Sequence, residues 1–585
     1  MTEPADPDVV DDGAGLSSMA DGRPVPSAFR RAQSRVARLD DRLTAWSAAV
    51  AITLLAFGMR VWHLGTPSRF AFDETYYAKD AWSMANFGFV RNYQPKPGGE
   101  LIDDAILSGH TQGIWADGPS MIVHPEVGKW LIALGEKSFG MDPFGWRIAS
   151  AIVGSLMVLV LIRLTRRLTG STMLGLVAGL LLAFDGLQFV LSRLALLDIF
   201  LSFFILCAVA CVVNDRDWHR AKLARLLDPD APPGPGQWGP VRGVLFRPWL
   251  LLGGVCFGLA IGTKWTAAYP LAAFGVLVWV WSAGARRSFG VRWSLARGAM
   301  ADGLPAFAQL VLVALVVYVA SWTGWLIHAD EYEKHLSSTQ YTGFVKENPC
   351  KGTGDDRRSD NVSDDDVTWP SATEPDASGF GEVTQSLRSL WSYHHDVYIF
   401  HTHYLNCSNH VYQSQPSGWL LLNRPVGVAT DLTIQPGDQG CTAKEGETCY
   451  RQVLLLGTPL LWWGASLALI AAAALWLGTR DWRYGVAIVG TLSTWLPWLM
   501  YDDRPIFLFY AIASLPFMVI AVALVMGKLI GPSRLPSARR TTGVIVAGSF
   551  FVLVLINFAY FYPLFSYGVI PRSSWLDRMW FQRWI

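Results

Sequence analysis

The chain has 585 residues, of which 51% are hydrophobic, 13% aromatic and only 16% charged, and its mean hydropathy is +0.28. The apolar residues come in blocks of roughly twenty, enough to cross a hydrocarbon core of about 30 Å, which excludes a soluble globular enzyme and predicts an all-α polytopic membrane protein. A net charge of +1 leaves no electrostatic footprint for nucleic acid, and the sequence carries no Walker loop, HExxH, CxxC or internal repeat.

Residues 1–43 are polar and rich in Pro and Asp, and read as a disordered cytoplasmic tail without a cleavable signal peptide. Arg30, Arg31, Arg35, Arg38 and Arg42 precede a first span at about 44–64, so the amino terminus is expected inside. The first outer loop, 65–142, is too apolar to hang free; Trp115, Trp130 and Phe139 suggest amphipathic pieces lying on the membrane. A second span at about 145–164 ends in Arg163, Arg166 and Arg167. Spans at about 172–190 and 194–213 follow, and their outer link carries Asp185, Ser192, Arg193 and Asp198. A basic cytoplasmic loop leads to spans at about 248–262, 267–284 and 305–327, which complete an N-terminal membrane region, 44–327. A polar outer loop, 328–452, separates it from four C-terminal spans within 453–562, and leaves 563–585 outside. About eleven spans put every basic cluster on the inner side, as the distribution of Lys and Arg in short loops requires. The 27 Trp and 18 Tyr suit aromatic belts at both interfaces.

Of the seven cysteines, Cys207, Cys211 and Cys256 fall within spans and read as small apolar residues. Cys350, Cys407, Cys441 and Cys449 all fall in the long outer loop, where disulfides are expected; three pairings are possible, Cys441–Cys449 being the most local. Asn361-Val362-Ser363 and Asn406-Cys407-Ser408 match the glycosylation sequon. The stretch Tyr393-His394-His395…His401-Thr402-His403…His410 lacks the spacing of a helical ligand pair, and fits an interface or substrate role better than zinc.

Phe72-Asp73-Glu74-Thr75-Tyr76-Tyr77 places two adjacent acids just past the first span. Acids so close to a membrane are costly unless they sit in water or a polar cavity; they either end the helix in solvent or do chemistry. The wider pattern favours chemistry. By the topology above, Asp73, Glu74, His124, Lys129, Arg147, Asp185, Arg193, Lys264, His328 and Arg504 all gather at the outer face. Singly, Arg147 could anchor a span end, Lys264 could snorkel, and Asp502-Asp503 could neutralise Arg504. Together they describe an outward cavity of acids and bases. Nucleotide sugars are made in the cytosol, so an outward site implies a donor carried across by lipid.

Phe72-Asp73-Glu74, His124-Pro125-Glu126-Val127-Gly128-Lys129, Ser192-Arg193-Leu194-Ala195-Leu196-Leu197-Asp198 and Gly262-Thr263-Lys264-Trp265 occur in that order. They are followed by His410-Val411-Tyr412-Gln413-Ser414, Trp419…Asn423-Arg424-Pro425 and Arg504…Phe507…Tyr510. This ordered set resembles the protein O-mannosyltransferase family in its actinobacterial form, from about residue 45 to about 562. The chain departs from the family pattern in having Pro125-Glu126 where two prolines are usual, and Asp185 as the nearest match to an acid that is often Glu. Its outer loop is also too short for the β-trefoil insertion of fungal and animal members.

The resemblance implies a GT-C glycosyltransferase that moves mannose from polyprenyl-phosphate-mannose to Ser or Thr of proteins emerging from the secretion machinery. It implies Asp73 as base with Glu74 beside it, and Arg504, Lys264 and Arg193 as cations for the lipid phosphate. Arg147 either joins that set or holds an acid of the core in place. His124, Lys129, Asp185, Asp198, His410, Tyr412, Trp419 and Arg424 are expected as substrate or structural support. No metal or other cofactor is expected, because side chains alone can hold a lipid phosphate. Two other readings remain: a transferase of the same architecture acting on a cell-wall glycan or lipid, and a transporter. Charges at one face rather than mid-depth, and the lack of a two-half repeat, weigh against transport.

Overall fold

Inside a bilayer the backbone has no water to bond, so a spanning segment must be helical. The computed structural model describes residues 42–226, 236–337, 369–501, 504–532 and 537–585, apart from the side chains of Asn406 and Cys407. Nearly all of the expected tail, both sequon asparagine side chains, Cys350 and Asp502-Asp503 lie outside the described residues. Among the described residues, seven helices are long and apolar enough to cross a membrane: Arg42–Val61, Pro143–Thr169, Leu197–Leu226, Trp265–Ser288, Ser294–Ala320, Pro459–Thr479 and Ala538–Phe565. At the other four expected spans lie the shorter helices Thr172–Ala183, Pro248–Ile261, Trp482–Trp495 and Leu515–Ile530.

The ends of these helices follow local chemistry. Pro143, Pro248 and Pro459 open three of them, at a position where the missing N–H has no partner to lose. The Asp142 and Ser171 side chains accept from the first free amides of their helices. Gly170, at φ 67°, closes Pro143–Thr169 in a left-handed turn that a side chain would strain. Leu197–Leu226 packs against Pro143–Thr169, Pro248–Ile261 and Ala268–Ser288, and forms the centre of the bundle.

The all-α expectation needs a correction outside the bundle. The first outer loop holds the helices Glu74–Phe87 and Val127–Phe139, as amphipathic patterning suggested, but Trp115 lies on a strand, Trp115–Pro119, paired with Arg91–Tyr93. In the long outer loop a 23-residue helix, Phe380–Thr402, precedes the antiparallel strands Val426–Ile434 and Cys449–Leu455. Ile570–Pro571 from the C-terminal segment adds a third strand. These stretches carry β-branched Val, Thr and Ile and lie outside the lipid constraint, so sheet is open to them. Cys441 and Cys449 form a disulfide at the start of the second strand.

One buried pair ties the outer loop to the bundle. The Arg147 guanidinium meets the Glu74 carboxylate in bidentate fashion, Nε to Oε1 at 2.8 Å and Nη2 to Oε2 at 2.6 Å, with both side chains at 0% exposure. The other Arg147 donors go to the carbonyls of Leu64, Pro67 and Arg69, while Glu74 also accepts from the amides of Ala71 and Ala195. Every donor of the guanidinium is satisfied, which a buried charge requires. The pair therefore pins the turn between the first span and helix Glu74–Phe87 to the second span and to the segment before Leu197. Arg147→Met leaves the carboxylate buried without its cation, and is expected to cost about 3–5 kcal/mol, read as a large drop in melting temperature of the detergent-purified protein. Glu74→Leu in the same chain should recover part of that loss. Wild-type melting of Arg147→Met would show that the pair does not hold this turn.

Candidate active site

Asp73 stands at the N-cap of helix Glu74–Phe87, yet its side chain makes no capping bond. An aspartate at this position ordinarily accepts from the amides of the first turn. Here the amides of Tyr76 and Tyr77 bond to the Asp73 carbonyl, and among the described residues the Asp73 carboxylate has one weak hydrogen bond, 3.4 Å from the Tyr77 hydroxyl. Phe72 sets the direction. Its backbone lies in the left-handed region, φ 54°, a conformation costly for an aromatic residue. Its ring is held edge-on by Phe507 at 5.4 Å, Phe509 at 5.7 Å and His410 at 5.9 Å.

The electrostatics around Asp73 are balanced. Burial pushes its carboxyl up to about 6, against the Lys264 ammonium and the Tyr77 hydroxyl and with the help of Asp198. Lys264 Nζ donates to both Asp198 oxygens, at 2.9 and 2.8 Å, and lies 4.8 Å from the centre of the Tyr510 ring. His124, half-buried beside this group, is held well below the ordinary imidazole range by desolvation and by Lys264, His401, Lys129 and Arg504. It stacks on His401 with ring centres 5.3 Å apart. Arg504 donates through Nη1 to His401 Nδ1 at 2.7 Å and to the His401 carbonyl at 3.1 Å, and its buried Nε has no partner among the described residues.

The structure thus brings together Asp73, Asp198, Lys264, His124 and Arg504, and gives several other expected site residues different settings. Glu74 is enclosed by Arg147 and two amides and does not face the cavity; of the two readings of Arg147, the one that holds an acid of the core matches its contacts. Arg193 donates through Nη1 and Nη2 to the carbonyls of Met59, Arg60, Trp62 and His63, and closes the end of the first span. Asp185 accepts from the amides of Gln188 and Thr458 and from Trp462 Nε1, which fixes Gly186–Leu191 to the start of Pro459–Thr479. Lys129 pairs with Asp80 at 2.9 Å.

In the outer loop, Arg424 donates to the carbonyls of Val411, Arg583 and Ile585 and lies over Tyr412, so it braces this segment. Trp419 is buried against Trp498 and Tyr510, its indole N–H on Ser414. His410 is the loop residue that reaches the Phe72 ring. Among the described residues no group of three His, Cys, Asp or Glu could hold a metal ion. Sequence reasoning passed over Tyr77, although its place four residues after Asp73 puts both on one helical face. It quoted Tyr510 only within a motif, and gave the histidine stretch with His401 an interface or substrate role without named partners; their contacts cross the chain and leave no local trace.

Two family models match the chain: "Dolichyl-phosphate-mannose-protein mannosyltransferase" over residues 50–226 and "C-terminal four TMM region of protein-O-mannosyltransferase" over 386–584. A polyprenol-phosphate-mannose–protein mannosyltransferase of Mycolicibacterium smegmatis is 34% identical over 554 residues, covering 93% of this chain and 94% of the relative. The protein of that description in Corynebacterium glutamicum is 32% identical over 527 residues, covering 89% and 88%. Among solved structures, the protein O-mannosyltransferase Pmt1-Pmt2 complex of S. cerevisiae, bound to the sugar donor, matches with a TM-score of 0.63 at 14% identity, over 94% of each chain. That likeness is one of fold, and the identities carry the family. The chain belongs to the protein O-mannosyltransferase family, among its polyprenol-phosphate-mannose–protein mannosyltransferases.

Proposed function

We propose that this membrane protein transfers mannose from polyprenyl-phosphate-mannose to Ser or Thr hydroxyls of proteins, in one inverting displacement with Asp73 as general base. The observation that carries the assignment of the base is the Asp73 carboxylate, which stands at a helix start without capping it, beside the Lys264–Asp198 pair. The acceptor oxygen attacks the anomeric carbon as the bond from that carbon to the phosphate oxygen breaks. The hydroxyl proton passes to Asp73, and the lipid phosphodiester leaves as a monoester dianion. A carboxylate cannot ionise a serine beforehand, but it can accept the proton as the new C–O bond forms and the hydroxyl acidifies.

The departing dianion calls for cations, and the contacts rank them. Arg147 has every N–H engaged by the protein, and Arg193 donates through both of its terminal nitrogens to carbonyls. Lys264 is compensated by Asp198. Arg504, whose Nε has no partner among the described residues, is the leading phosphate ligand, with Lys264 next to it. Both can stabilise charge that develops on the leaving group. The basic clusters support an inner amino terminus, an outer carboxyl terminus and about eleven crossings of the plasma membrane. The site then faces outward, where acceptors emerge during translocation.

The first experiment uses purified protein, radiolabelled polyprenyl-phosphate-mannose and a Ser/Thr-Pro-rich peptide. Asp73→Asn is expected to lose about 10²–10⁴-fold in turnover while melting like the wild type. Full activity in that variant would remove Asp73 from the chemistry, and no labelled peptide from folded wild type would redirect the search to glycan and lipid acceptors. A base must be ionised to work, so kcat/KM for the peptide is expected to fall as pH drops through about 6, where Asp73 takes up a proton. A profile flat down to pH 5 contradicts this. Arg504→Ala is expected to raise the KM for the lipid donor about 10- to 100-fold, the worth of a hydrogen bond to a charged group, with little change in peptide KM.

A further inference from the structure

The helix Phe380–Thr402 belongs to the polar outer loop, yet it docks on the membrane-side motifs through two histidines one heptad apart. His394 Nδ1 lies 2.7 Å from the Leu390 carbonyl, which can only accept, so Nδ1 carries the proton and Nε2 accepts from the Tyr318 hydroxyl. Tyr318 in turn accepts from Trp265 Nε1 at 2.8 Å, next to Lys264. The same argument fixes His401. Its Nε2 lies 2.9 Å from the Val123 carbonyl and must donate, so the Nδ1 lone pair is the acceptor for Arg504 Nη1 at 2.7 Å. Both rings are thereby neutral and of defined tautomer. Burial holds each imidazole down at about 4, and at His401 the charges of Arg504 and Lys264 act in the same direction. The groups facing His401 are His124, stacked on it, Trp265, edge-on at 6.4 Å, and Arg504.

We propose that His401 is a positioning residue for Arg504: it bridges the Val123 carbonyl of the His124 motif to the guanidinium, and so aims the remaining N–H groups of Arg504 at the donor phosphate. The inference rests on the reading of Arg504 as phosphate ligand. Among the described residues the guanidinium is held by the ring nitrogen and the carbonyl of a single residue. Without the ring acceptor, Nη1 keeps only the longer carbonyl bond and the side chain is free to turn. His401 touches neither sugar nor acceptor in this scheme. Its effect appears in donor affinity and only through Arg504.

The test is a double-mutant cycle in purified full-length protein, with KM for polyprenyl-phosphate-mannose and peptide KM measured separately. His401→Leu is expected to raise donor KM about tenfold, as loss of one hydrogen bond to a charged group does, and to leave peptide KM within about twofold. His401→Gln offers an oxygen to Arg504 and an N–H to Val123, and is expected to stay within about threefold of wild type. In the Arg504→Ala background, His401→Leu should add no more than about twofold. Melting curves of all variants check that the outer helix still docks, and His401→Gln carries the test if His401→Leu fails to fold. A full tenfold effect of His401→Leu on top of Arg504→Ala, or a His401→Gln as impaired as His401→Leu, overturns the positioning role alone. An unchanged donor KM in Arg504→Ala overturns the phosphate reading, and this inference with it.

Discussion

The site depends on the bidentate pair between Glu74 and Arg147. A buried ion pair is poor evidence of stability for its own sake, because desolvation offsets most of the attraction. What this one supplies is geometry. Arg147 reaches from the second span to three carbonyls of the turn after the first span, and Glu74 reaches back to the amides of Ala71 and Ala195. The turn is thus fixed on both sides of Phe72. A turn so constrained can hold an aromatic residue in the left-handed region, and the next residue, Asp73, starts its helix without capping it. Two adjacent acids therefore have unlike fates: one is a structural anion at the centre of a network, and the other is left available.

The same division runs through the cations. A cavity that must hold a phosphodiester and then a dianion cannot carry many loose positive charges when empty, since they would repel one another in a poorly solvated site. The structure meets this by engaging most of them. Arg193 closes a helix end, Lys129 pairs with Asp80, and Lys264 is matched by Asp198. Arg504 is the exception, held by a neutral histidine and a carbonyl rather than by a described carboxylate. A neutral acceptor orients a cation without cancelling its charge, which suits the phosphate role proposed for Arg504.

The sequence made the bundle legible because lipid allows so few solutions. Each expected span falls on a helix, and the clustering of Asp73, His124, Lys264 and Arg504 is seen in the structure. Pairwise partnership was not legible. Arg147 and Glu74 are 73 residues apart, and Arg504 and His401 are 103 apart. Nothing in either local pattern names the other. Arg193 shows the difficulty most clearly: its residue type, depth and motif were those expected of a phosphate ligand, and its guanidinium instead serves the carbonyls at the end of the first span. Such carbonyls are unsatisfied at the end of any helix, so an arginine near a span end always has this second employment. The strands of the outer loop were missed for a different reason: once the chain leaves lipid, helix is no longer compulsory.

The proposed reaction asks for a base of intermediate strength, and the position of Asp73 suits one carboxylate to that task. A fully solvated aspartate near its ordinary value would be ionised but too weak to draw a proton from a hydroxyl that acidifies only late. An aspartate buried in apolar surroundings would be stronger but protonated at neutral pH. At the start of helix Glu74–Phe87 the helix dipole, carried by the first-turn amides, favours the anion, as do the nearby Lys264 and the Tyr77 hydroxyl, while burial and the neighbouring Asp198 oppose it. The opposing influences leave the group at about 6, ionised at neutral pH and roughly two units more basic than a solvated aspartate. Had Asp73 capped its helix in the usual way, those same amides would have bound the carboxylate directly, lowering its basicity and occupying the oxygens that must face the acceptor. In the proposed reaction the missing cap keeps the field of the helix end while leaving the carboxylate oxygens open to the incoming hydroxyl.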